Sequence, residues 1–140
     1  MDKVNLNRMR KLIRETLKIQ WKIEQEHARA TKITTSITGM PHGGSPHSQV
    51  EDGAIRVTEI MDAYREILDE LQRMRDTLDP LIDTLDDANE RAVMRLRYIK
   101  GFSPEDIADA IYRTNRSIYY YLARAEDKLI ARFPEKILKV

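Results

Sequence analysis

The sequence predicts an all-α protein: a long antiparallel helical hairpin, coiled-coil-like, followed by a C-terminal module of short helices. Three observations lead there. Apolar residues recur three and four apart without a break from Val57 to Leu85. Capping residues, glycine and proline punctuate the stretch from Gly101 to Thr114. No segment alternates apolar and polar residues as a strand does. The hairpin is expected over residues 1–84, with its loop at 35–49, and the module over 85–140.

The first helix carries Leu6, Met9, Ile13, Thr16, Gln20 and Ile23 at helical spacing. Thr16 and Gln20 interrupt that stripe, and Leu12, Leu17, Ile19 and Trp21 lie beside it, so its pairing register stays open. Between Thr35 and Gln49 stand Gly39, Pro41, Gly43, Gly44 and Pro46, which end a helix and let the chain reverse. The second helix bears Val57, Ile60, Tyr64, Ile67, Leu71, Met74, Leu78, Leu81 and Leu85, the pattern of a coiled-coil seam. Pro80 removes an amide from that helix and is expected to kink or restart it, setting the hairpin apart from the module. A seam this long exceeds what one short partner helix covers. A homo-oligomer through the hairpin is therefore expected, with a two-fold dimer the commonest form. The alternative is a monomeric hairpin whose two seams satisfy each other.

In the module, Gly101 follows a basic last turn with Arg97 and Lys100, which suits a helix end. Ser103 then caps a second helix, Pro104 fits its first position, and Glu105 and Asp106 sit at its positive pole. Ile107, Ala108 and Ile111 form its buried edge. Thr114 caps a third helix that places Ile118, Tyr121, Leu122, Ala125 and Leu129 on one face. Asn115, Arg116, Ser117, Tyr119, Tyr120 and Arg124 then point away from that face.

Two helices joined by a short turn in this way form a helix-turn-helix pattern, in which the start of the second helix reaches base edges. Asn115, Arg116, Ser117, Tyr119 and Tyr120 are the base-reading candidates, with Arg116 suited to guanine and Asn115 to adenine. Lys100, Ser103, Arg113, Thr114, Arg124 and Lys128 are the phosphate candidates. Thr114 can use its hydroxyl only once, so a capping role argues against base contact.

The run from Leu85, with Ala88-Asn89-Glu90-Arg91-Ala92-Val93-Met94-Arg95-Leu96-Arg97-Tyr98-Ile99 ahead of Asp106-Ile107-Ala108, resembles region 4 of bacterial sigma factors. Nearly the whole chain resembles small phage and prophage regulators of the ArpU and RinA type. That resemblance implies a sigma region 4-like helix-turn-helix, double-stranded DNA as partner and control of late genes. Two positions depart from the sigma pattern: Tyr112 replaces the usual turn glycine and Arg113 the usual apolar plug. A non-glycine there requires a different turn or a left-handed residue.

Charge is distributed in blocks. Nine basic residues against four acidic give +5 over 1–50; four against thirteen give −9 over 51–90; eleven against six give +5 over 91–140. The basic last third suits a DNA-facing module, while the acidic middle repels DNA and suits the basic first helix. No cysteine is present, which excludes disulfides and thiolate metal sites and fits a reducing cytoplasm. A bacterial cytoplasmic, nucleoid-associated protein is expected, with no membrane partner, since no run reaches spanning length. Glu24 and His27 have a di-iron spacing, but no second such pair accompanies them, so no metal and no cofactor are expected. His42 and His47 lie in the loop without a positioned acid or nucleophile, and no catalytic set can be assembled, so the protein is expected not to be an enzyme. The alternatives to a DNA-binding transcription regulator are a module that docks on RNA polymerase or another regulator, and a packaging component like a terminase small subunit.

Overall fold

The computed structural model describes residues 3–37 and 46–138, with side chains at 3–29 and 54–138. Its architecture is overwhelmingly helical: α1 (Leu6–Ile37), α2 (Pro46–Ile82), α3 (Ala88–Met94), α4 (Pro104–Ala110) and α5 (Asn115–Arg132). Two short strands, β1 (Val4–Asn5) and β2 (Ile137–Leu138), pair in parallel, with Val4 opposite Ile137. This pairing departs from the strand-free expectation. Two residues are too few to show alternation, and the ladder joins segments from opposite ends of the chain.

The expected loop at 35–49 is shorter in its described part, because α1 runs to Ile37 and α2 begins at Pro46. Residues 38–45, including Gly39, Pro41, His42, Gly43 and Gly44, lie outside the described residues. Of the two outcomes expected at Pro80, a kink or a restart, the helix is not restarted, since α2 passes through Pro80 and ends at Ile82. The missing donor falls at an exposed position near the helix end, where water can satisfy the carbonyl left over.

The chain divides into two compact units, Met1–Ile13 with Glu70–Val140, and Arg14–Asp69. The boundary between these units falls inside α1 and α2. All described side chains that are buried belong to the first unit.

In that unit Leu6, Met9, Leu12 and Ile13 of α1, and Leu71, Leu78, Leu81 and Ile82 of α2, are buried along with Leu85, Val93, Met94, Tyr98, Ile107 and the inner face of α5. On α5 that face is Ile118, Leu122, Ala125 and Leu129, with Tyr121 half-buried, as its spacing predicts. Ile107 and Ala108 are buried on α4, while Ile111 is only half-buried. The starts of α3, α4 and α5 are capped. Asp87 accepts the amides of Asn89 at 2.8 Å and Glu90 at 3.3 Å, Ser103 accepts that of Asp106 at 3.1 Å, and Thr114 accepts that of Ser117 at 3.2 Å.

After α3 the chain makes a π-helical turn, Arg95–Ile99, closed by the Lys100 amide on the Arg95 carbonyl at 3.0 Å. Gly101 follows at φ +79°, the left-handed closure expected of a glycine there. The wider turn carries Tyr98 into the core. Its hydroxyl donates to Glu126, and Arg10 Nη1 donates to Tyr98 Oη at 2.7 Å and to Glu126 Oε1 at 3.1 Å. Glu126 is buried on the apolar face of α5, so this network satisfies a charge that would otherwise be costly to enclose. Burial first, and then the Glu126 carboxylate, push the Tyr98 phenol well above its ordinary range.

The second unit consists of the adjoining stretches of α1 and α2. Gln20 Nε2 donates to Tyr64 Oη at 2.9 Å, and Arg56 Nε stands 3.8 Å from Glu26 Oε2, so the paired positions run in opposite directions. Val57, Ile60, Tyr64 and Ile67 are half-buried. Leu17, Trp21 and Ile55 are 57%, 61% and 57% exposed. The seam that reads as uniform from Val57 to Leu85 therefore has its buried residues, Leu71, Leu78, Leu81 and Leu85, only from Leu71 onward, with Met74 among them half-buried. Among the described helices none is long and apolar enough to cross a membrane.

Candidate functional site

The turn between α4 and α5 is built by Ile111, Tyr112, Arg113 and Thr114. The Arg113 amide reaches the Ala108 carbonyl at 3.0 Å, and Tyr112 takes φ +56°. Tyrosine thus adopts the left-handed conformation that glycine would take without strain, and its side chain is 93% exposed. The departure from glycine leaves a tight turn in place. Arg113, the second departure, is exposed and plugs nothing.

From this turn α5 starts with Asn115 and Arg116 exposed, and Ser117 half-buried. The Ser117 hydroxyl lies 2.9 Å from that of Thr114, so both hydroxyls serve the cap. Tyr119 and Tyr120 are exposed on the outer face, but each is engaged. The Tyr119 hydroxyl donates to Glu105 Oε1 at 3.1 Å, a bond that raises its phenol above the ordinary value and keeps it protonated. Arg124 Nη1 donates to Tyr120 Oη at 2.6 Å, with its guanidinium 5.4 Å from that ring.

The cationic phosphate candidates divide into two groups. Lys100, Arg113 and, beside them in character, Arg116 are exposed and make no ion pair among the described residues. Arg124 and Lys128 instead converge on Glu90 of α3. Lys128 Nζ stands 2.8 Å and 3.0 Å from its two oxygens, and Arg124 Nε 3.4 Å from one of them. Glu90 is 1% exposed, so its charge is held close to both cations and cancels much of their field at the surface. Ser103 is occupied in capping α4. The candidate cations without an ion pair among the described residues therefore lie around the α4–α5 turn and the end of the π-helical turn, and not along the C-terminal half of α5.

Three residues at this face lack a site role in the sequence expectation: Glu90, Tyr112 and Phe102, the last exposed just before the cap of α4. Glu90 left a readable signal, because it stands three residues before the buried Val93 on the inner face of α3. Exposure of Tyr112 and Phe102 depends on packing, which periodicity does not report. Chemically the surface offers hydrogen-bond donors, cations and aromatic rings, a set suited to anions and to planar base or peptide edges. No group of three or more His, Asp or Glu side chains that could hold a metal ion occurs among the described residues.

The helices and this surface define an all-α protein with a polar, cation-bearing face at its last two helices. The chain belongs to the family described as "Protein of unknown function (DUF1492)", whose model matches residues 34–130. No curated protein and no solved structure matches it.

Proposed function

We propose that α4, its turn and α5 form a helix-turn-helix that reads the major groove of double-stranded DNA, carried at the end of an antiparallel helical hairpin. The observation that carries the reading is the start of α5. Asn115 and Arg116 project exposed from its first turn and make no hydrogen bond or ion pair to any described side chain. Amide and guanidinium groups at the start of a second helix are the donors that discriminate adenine and guanine edges. Lys100 and Arg113 flank them as phosphate contacts, and Arg124 and Lys128 act mainly by holding α5 on Glu90. The sequence resemblance to sigma region 4 and to ArpU- and RinA-type regulators makes phage or prophage late genes the expected targets, in a bacterial cytoplasm.

The test is enrichment of fragments from the encoding genome by wild type and by an Asn115→Ala, Arg116→Ala double variant, at one fixed salt concentration. Wild type is expected to select one or a few sites and the variant to lose the selection, with each lost base contact worth about 1–3 kcal/mol. Equal and unselective binding by both proteins would remove base reading and leave phosphate contact alone. The exposed rings of Phe102, Tyr112 and Tyr119 favour one second reading, a module that docks on RNA polymerase. Absence of DNA selection together with retention on polymerase is its expected signature.

A further inference from the structure

The second unit contains apolar side chains but encloses none of those described. Two packed helices cover one stripe each, and closing a core around them takes further helices, four in the commonest small bundle. On α1, Leu17 and Trp21 stand four residues apart on one outward stripe, both more than half exposed. Arg14, Lys18 and Lys22 border that stripe on one side and are exposed, and the exposed Glu24 stands one turn beyond Trp21 as its single described acidic neighbour. On α2, Ile55 begins an outward stripe that continues through Glu59, Asp62 and Glu66, all exposed. One helix thus presents apolar residues among cations, and the other an apolar residue among carboxylates. The contrast extends along both helices, since α1 carries eight basic and three acidic residues, net +5, and α2 four and nine, net −5.

We infer that residues 14–22 of α1 and 55–66 of α2 form the interface between two copies of this chain, the outward stripe of each α1 seated on the acidic stripe of its partner's α2. A two-fold arrangement suits this surface because each copy supplies both the basic and the acidic member, so the contact is made twice. Stacking α1 on α1 would oppose like charges, which fixes the choice of partner helix. The resulting four-helix assembly buries Leu17 and Trp21 at its centre. Should the DNA reading hold, the pair presents two reading helices to two half-sites, but the inference stands without it.

Light scattering on the full-length protein, without DNA, at micromolar concentration tests this directly. Trp21 is the single tryptophan, so its emission reports the same interface. The expected result is twice the chain mass with blue-shifted emission, and on dilution both revert together. Leu17→Lys is expected to give the single-chain mass with helicity retained. A Lys18→Glu, Lys22→Glu variant is expected to weaken the pair, and adding Asp62→Lys, Glu66→Lys to restore it. A single-chain mass for wild type overturns the inference. So does a double mass in which Trp21 emission stays that of exposed indole and Leu17→Lys changes nothing, because association then lies elsewhere.

Discussion

The two compact units draw on the same helices yet solve opposite problems. In Met1–Ile13 with Glu70–Val140, apolar faces of α1, α2, α3, α4 and α5 meet, and even charges are enclosed with partners: Glu126 with Tyr98 and Arg10, Glu90 with Lys128 and Arg124. In Arg14–Asp69, the same periodic spacing leaves its described apolar residues half-buried or exposed. The lesson is that a heptad pattern specifies which residues share a face and leaves open whether anything covers that face. Coverage comes from the rest of the chain, and here the short helices after Leu85 supply it to one stretch of α2.

The widest contrast comes from truncating one seam residue in each unit. Leu78→Ala, in the closed part, is expected to cost about 2–5 kcal/mol in denaturant unfolding, because it removes buried methyl groups and leaves a cavity. Val57→Ala, in the half-buried part, is expected to cost about 1 kcal/mol or less. Equal losses would mean that the second unit is as tightly packed as the first.

A smaller effect probes the enclosed polar network. Tyr98→Phe removes the hydroxyl that bonds Glu126 and Arg10, at an expected cost of about 1–3 kcal/mol. It also alters pH dependence. The phenol is held neutral in the folded state and ionises more readily once unfolded, so its contribution is complete below the ordinary value of about 10 and is lost as pH rises above it. The phenylalanine variant is expected to show a shallower alkaline loss of stability. Identical alkaline limbs for the two proteins would place Tyr98 outside the core in solution.

The smallest pair of changes contrasts the two left-handed residues of the packed unit. Gly101→Ala forces a Cβ into φ +79° and is expected to cost about 1–2 kcal/mol from backbone strain alone. The space itself is ample, since the added carbon would meet Ile13 Cγ2 at 3.5 Å and an Arg75 nitrogen at 3.6 Å. Tyr112→Gly is expected to stabilise by a few tenths to about 1 kcal/mol, as strain relief is partly offset by the looser unfolded chain. Thermal melts of both variants read the opposite signs.

Local features were legible in the sequence because their causes are local. Ser103, Thr114 and Gly101 announce helix ends through side-chain and backbone chemistry of three or four residues, and the inner face of α5 follows from spacing alone. What escaped depends on pairs far apart in sequence. Nothing near Arg10 announces Tyr98 or Glu126, and nothing near Val4 announces Ile137. Glu126 sits between Leu122 and Leu129 on an apolar stripe, so its burial was readable though its partners were not. Likewise Arg124 and Lys128 look like solvated cations until α3 brings Glu90 between them. Pro80 shows the limit of a residue rule, because a missing amide near an exposed helix end is tolerated where one in the interior is not.

The parallel pairing of Val4 with Ile137 has a consequence for the order of folding. The packed unit takes its first strand from the start of the chain and its second from the last residues described, with the whole of Arg14–Asp69 between them. The ladder closes a long loop of chain, so its pairing carries the loop-closure cost of a contact between residues far apart in sequence. Docking of α1 onto α5, and with it the enclosure of Arg10, therefore becomes a late step of folding, while the α3–α5 packing that it braces is made from contiguous sequence and can form first.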